Sequence, residues 1–178
     1  YLDETGSSGN NNGQYQGGTG SGNGGDTYSF GVAGTNLVTE RAFGGLRSGT
    51  LVPVIGAKFT NNTGSTITSL DIAYNGEMWR AGVVTRNAAD RLDFEYSTNA
   101  TSLTDVGATW TAVDTLDYKS SNINAAAANA LDGNASGNRT AVSATISSLS
   151  IANTSSFWIR WNDFDIASSD DGLAVDDF

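Results

Sequence analysis

The chain has 178 residues, 38% of them hydrophobic and only 16% charged, with 22 glycines and a single proline; that length suits one domain, and four Trp, six Tyr and seven Phe can fill its core. A formal charge of −10 with no His and no Cys excludes thiol nucleophiles, disulfides and imidazole acid–base chemistry, and it opposes a nucleic-acid partner, because a phosphate backbone is bound through Lys and Arg that displace its counterions. The excess of Asp over Glu, the Ser/Thr/Asn/Gly surface and the presence of only Lys58 and Lys119 as lysines suit an extracellular or cell-surface location with oxygen-ligand cation binding, and no apolar run approaches the roughly 18 residues of a membrane span, so no direct membrane insertion is expected.

Residues 1–26 are dominated by Gly, Asn and Ser, and read as a loop-like segment at the domain edge, tacked down by Tyr1, Leu2 and Tyr15. Gly20-x-Gly22-x-x-Gly25 matches the dinucleotide fingerprint formally, but no strand precedes it and no helix follows. Residues 27–178 then alternate with period 2. TYSFGVA, RAFGGLR, GAKFTN, STITSLDIAYN, DRLDFEYST, WTAVDTLDY, RTAVSATISSLSI, SFWIRWNDF and LAVDDF are short β-rich runs separated by Gly, Asn, Asp and Ser. Such a series without helical alternation predicts an all-β antiparallel β-sandwich of jelly-roll type. AAAANALDG, at 125–133, is the one expected helical turn, with Gly133 to stop it.

Two of these strands carry most of the chemistry. In SFWIRWNDF, Phe157, Ile159 and Trp161 share the core face, and Trp158, Arg160 and Asn162 the other. In DRLDFEYST, Leu92, Phe94 and Tyr96 point inward and Arg91, Asp93 and Glu95 outward. The outer set is either a surface for a sugar ring or a cross-strand ladder of ion pairs.

The stretches DTYSFG, RAFGGLRSGTLVP, GAKFTNNTGSTITSLDIAYNGEMWR, DRLDFEYSTNATSL, LDGNASGNRT and FWIRWNDFDIASSDDGLAVDDF resemble a recurrent domain of large secreted or surface-anchored bacterial proteins, and GLAVDDF is similar to the last strand of MAM and other concanavalin-like domains. The resemblance implies a jelly roll found beside adhesion modules, calcium-binding repeats and nuclease or phosphatase domains. It also implies a first strand ahead of Tyr1, whose absence would leave the C-terminal strand with an unpaired edge, either through truncation or for a neighbouring chain to fill.

Asp163, Asp165, Asp170, Asp171, Asp176 and Asp177 crowd one strand–loop–strand segment, and so many carboxylates repel one another unless a cation or an Arg lies among them. Structural calcium is the expected ion, with Asp3 or Glu4 as further ligands; an exposed, solvated acidic loop is the alternative. The spacing is not that of an EF-hand. Arg91-Leu-Asp93-Phe-Glu95 is a near match to the Glu-x-Asp-x-Glu strand of laminarinase- and lichenase-type β-glucanases, but Arg stands where the nucleophile belongs, so no enzyme is expected. A glycan site needs an aromatic platform with polar neighbours. Glu77, Trp79, Arg80, Arg91, Asp93, Trp158 and Arg160 are the candidates, with Trp110 and Arg86 nearby and YNGEMWRAGVVTRNAADR as the binding loop. The expected function is a non-catalytic adhesion or glycan-attachment module that binds a polysaccharide or cell-surface glycan. The alternatives are a protomer of a fibre, sheath or surface layer that joins copies of itself by strand exchange, and an accessory domain of a secreted nuclease or phosphatase.

Overall fold

A computed structural model describes residues 1–32 and 40–178; Ala33, the end of the TYSFGVA run, lies outside them. Period-2 alternation gives each strand one apolar face, and two such faces close on each other. One sheet has the order β1 (Leu2–Gly6), β5 (Leu51–Thr60), β11 (Ser156–Asp163), β7 (Arg91–Ser97), with the two-residue strands β8 (Thr111–Ala112) and β9 (Tyr118–Lys119) both pairing to the far side of β7. The second runs β10 (Arg139–Ile146), β6 (Leu70–Arg80), β12 (Gly172–Asp176), β4 (Ala42–Leu46), β3 (Asp26–Phe30), β2 (Tyr15–Gly18). From β4 onward the chain passes repeatedly from one sheet to the other, so sequence neighbours face each other across the core, as a jelly roll requires.

The core rows follow the predicted parity. Phe157, Ile159 and Trp161 of β11 and Leu92 and Phe94 of β7 meet Ile72, Tyr74 and Met78 of β6 and Leu173 and Val175 of β12. Trp161 is the hub, with Tyr74 at 5.2 Å and Phe94 at 5.3 Å, both edge-on, an arrangement that adds about 0.5–1.5 kcal/mol per pair beyond the area buried.

Several expectations are corrected. Residues 1–26 are not loop alone: β1 pairs with β5 from Leu2↔Ile55 to Gly6↔Leu51, and β2 pairs with β3 in parallel, the one parallel strand pair among the described residues. A parallel connection ordinarily takes a dozen or more residues. Here residues 19–25 suffice, and Gly20 takes φ +76 where a Cβ would strike the Trp79 carbonyl. Composition hid both strands, since backbone pairing in an edge strand demands little of its side chains. The C-terminal strand β12 is not an open edge but lies between β6 and β4. AAAANALDG forms no helix; it is irregular, bridging to Arg80 at Ala130, and the one helical turn among the described residues is the 3₁₀ turn Asp114–Leu116, which splits the WTAVDTLDY run. β5 begins at Leu51, ahead of the predicted GAKFTN, because Pro53 lies beyond the last β11 pair, Asn162↔Val54, and removes nothing from that ladder.

Candidate functional site

The outer face of the β11 sheet is covered in part by the loop after β7. Trp158 is buried, packed with Val54 and Leu103 and overlaid by Tyr1 with ring centroids 4.9 Å apart. It therefore presents no free ring as a sugar platform. Arg160 donates from Nε to Glu95 at 2.7 Å and from Nη1 to the Leu103 carbonyl, and its guanidinium lies 3.8 Å over the Trp110 ring. Arg91 pairs with Asp93 on its own strand and stacks on Phe164. Arg91 and Asp93 also line a shallow polar groove with Glu95, Asp114, Asp117 and Lys119. This face thus carries one cross-strand ion pair, Arg160–Glu95, and one within a strand, Arg91–Asp93.

On the second sheet, the first part of the expected binding loop, Tyr74–Arg80, is the end of β6, and only residues 81–90 are loop. Glu77 and Trp79 project from β6 away from the main core, yet both are fully buried. The loop after β9 closes over them: Leu131 N–H donates to the Trp79 carbonyl at 2.8 Å, and Gly133 lies so close to the indole that a Cβ would overlap it. Trp79 stacks on Phe30 at 6.0 Å and donates from Nε1 to Glu77 Oε2 at 3.0 Å. Neither is available to a glycan. Arg86 is also buried, clamped to both oxygens of Asp171 at 2.8 and 3.0 Å and bonded to the Ser169 carbonyl, so it fastens the β6–β7 loop to the β11–β12 loop.

Arg80 alone of the glycan candidates on this sheet reaches an open groove. Its Nη1 donates to the Gly20 carbonyl at 3.0 Å, and beside it opens a cavity of about 430 Å³ lined by Gln16, Tyr28, Phe30, Arg41 and the Gly-rich stretch 17–22. That volume falls within the roughly 300–1,000 Å³ of small-ligand sites. Tyr28 and Phe30 stack at 5.1 Å, and Tyr28, half-buried, offers its ring at the edge of the groove with its hydroxyl fixed to the Gly24 carbonyl at 2.9 Å. Sequence reading missed Gln16, Tyr28 and Arg41. The signal was the i, i+2 pair Tyr28 and Phe30 beside a run too rich in glycine to cover them.

The six aspartates do not converge. Asp171 is saturated by Arg86 and by the Gly82 N–H at 2.7 Å. Asp165 is exposed and paired with Arg47 at 3.3 Å. Asp176 and Asp177 lie at the far end of β12, where Arg139 bonds Asp177 at 3.1 Å. The expected additional ligands are also taken: Glu4 accepts the Asn12, Gly13 and Thr27 N–H groups, and Asp3 accepts from Thr104. Asp163 differs from all of these. It occupies the core-facing row of β11 after Trp161, is 1% exposed, and neither carboxylate oxygen has a hydrogen-bond partner. Burial, followed by the charges of Asp90 and Asp170, holds its carboxyl well above the usual range. Asp90, whose two oxygens accept the Arg91 and Asp171 N–H groups, is itself pushed up to about 7 by burial.

These features define the class, an all-β sandwich with an open groove of about 430 Å³ on an outer face and buried carboxylates, Glu77 and Asp163, whose oxygens are not all hydrogen-bonded. Comparison with protein-family models, curated proteins and solved structures found no match to the chain.

Proposed function

We propose that the chain is a non-catalytic extracellular β-jelly-roll module that attaches to a polysaccharide or cell-surface glycan and is stabilised by calcium. The groove at Tyr28 carries this reading: an aromatic face for the C–H side of a sugar, with Arg41, Arg80 and Gln16 placed for its hydroxyls. The resemblance to domains of secreted and surface-anchored bacterial proteins supports the same setting. Asp93 and Glu95, the carboxylates of the glucanase-like run, are each tied to an arginine, which leaves neither free as an acid or nucleophile. Asp163 and Asp170 would hold the calcium, whose charge would compensate a buried carboxylate whose two oxygens lack hydrogen-bond partners.

Affinity electrophoresis against a polysaccharide panel tests the groove. Tyr28→Ala should weaken retention about tenfold or more while Arg91→Ala, on the opposite face, leaves it unchanged. Equal retention of Tyr28→Ala and wild type would remove the groove from consideration.

A second reading, assembly of copies through strand addition, is favoured by β10 rather than by the C-terminal strand. Its eight residues pair only with β6 among the described residues, and Ala141, Ser143 and Thr145 are exposed along it. Sedimentation decides: concentration-dependent growth abolished by A141K/T145K supports assembly, and a monomer at every concentration sinks it.

A further inference from the structure

We propose that Glu40, Glu77 and Asp176 form a calcium site on the outer face of the second sheet, separate from the carboxylates around Asp163. One oxygen from each lies within 4.8 Å of the others, and among the described residues they are the one set of three acidic groups that converges in this way. Oxygens sharing a calcium ion at about 2.3–2.6 Å stand no farther apart than roughly 5 Å.

Convergence of acidic groups would mean little alone, because exposed carboxylates often cluster. Two further observations separate this set from such a patch. Glu77 is fully buried, and while its Oε2 accepts from Trp79, its Oε1 has no hydrogen-bond partner. The nearest cation, Arg139, stands 3.6 Å from Oε1 and gives its hydrogen bond at 3.1 Å to Asp177 instead. Burial and then the charge of Asp176 raise the Glu40 carboxyl, the electrostatic cost of bringing these carboxylates together. Among the described residues Arg139 is the one cation paired with Glu77 and Asp177, none is paired with Glu40 or Asp176, and residues 33–39 contain no charged side chain.

The ligands come from three places: Glu77 from β6, Asp176 from the end of β12, and Glu40 from the residues leading into β4. Ala174 of β12 is the register partner of Glu77. An ion here would pin the central strands of the sheet to the approach of β4. With three carboxylates on a surface module, a dissociation constant on the order of 10⁻⁴ to 10⁻³ M is expected. The site does not depend on the glycan reading.

Trp79, bonded to Glu77, supplies the probe. Terbium chloride, an oxygen-seeking stand-in for calcium, should give luminescence sensitised by tryptophan excitation at about pH 7.5, and calcium chloride should compete it away. Trp161 lies close to Asp163, so variants assign the signal. Glu40→Gln and Asp176→Asn change residues that are not fully buried, so both should fold; each should weaken terbium and calcium binding about tenfold or more, while Asp163→Asn retains this component. Calorimetric titration with calcium should lose one ion in E40Q/D176N. Terbium and calcium titrations unchanged by both substitutions, or emission that only Asp163→Asn removes, would overturn the site. Failure of polysaccharide binding would leave it standing.

Discussion

Asp163 shows how a single carboxylate can oppose its own fold. Parity places it in the same row as Phe157, Ile159 and Trp161, yet it brings a group that burial penalises when ionised and whose oxygens have no hydrogen-bond partner. In chelator at neutral pH, Asp163→Asn should raise Tm by relieving that penalty, and in calcium it should lose most of the ion's stabilising increment, which for wild type at 100 times the dissociation constant is about 2.7 kcal/mol. Thermal scans with EDTA and with calcium chloride read both effects. No calcium shift in the wild type would reject the ion at Asp163. Asp90 adds a pH dependence. Its folded value, raised to about 7, exceeds its unfolded value of 3.8, so its contribution is fully present below about pH 4 and is lost as pH rises through about 7. Tm in chelator should therefore fall between about pH 5 and pH 8, and Asp90→Asn should flatten that slope. An unchanged profile in the variant would assign the dependence to another group.

At the scale of elements, the loops are held by few contacts, each of high consequence. Arg86 and Asp171 join two loops through a bidentate pair in which both side chains are buried. Arg86→Ala leaves the Asp171 charge without its partner, and should cost about 3–5 kcal/mol in urea unfolding. A loss below about 1 kcal/mol would mean that water replaces the guanidinium. The loop over Trp79 depends on Gly133 in the same way. Gly133→Val should displace the loop, lower stability by about 1–3 kcal/mol and shift Trp emission to the red as water reaches the indole. An unshifted spectrum would show that the loop adjusts without uncovering the ring.

At the scale of the molecule, each sheet has a second covered face. Trp158 with Val54 and Leu103, and Trp79 with Phe30 and Ala174, form small apolar clusters outside the main core. Loops rather than strands cover them, so the sandwich is thicker than its two sheets, and the tryptophans that read as sugar platforms serve instead as anchors for those loops. What remains open on the β2–β3 side is the Tyr28 groove, at the margin of the cover.

The β-sandwich was legible in the sequence because period-2 alternation is a local property: the face on which Phe157, Leu92 or Trp158 lies follows from its neighbours in the chain. The exclusions of thiol and imidazole chemistry were equally local, being matters of composition. Spacing could not reveal what stands against an outward face. Trp79 and Trp158 point away from the main core as parity requires, but loops more than fifty residues from each in sequence decide that both are buried. The acidic segment divided for the same reason. Six aspartates that are neighbours in the chain are carried to opposite ends of β12, where Asp171 finds Arg86 and Asp176 finds Glu40 and Glu77, since a strand of five residues separates in space what the sequence places side by side.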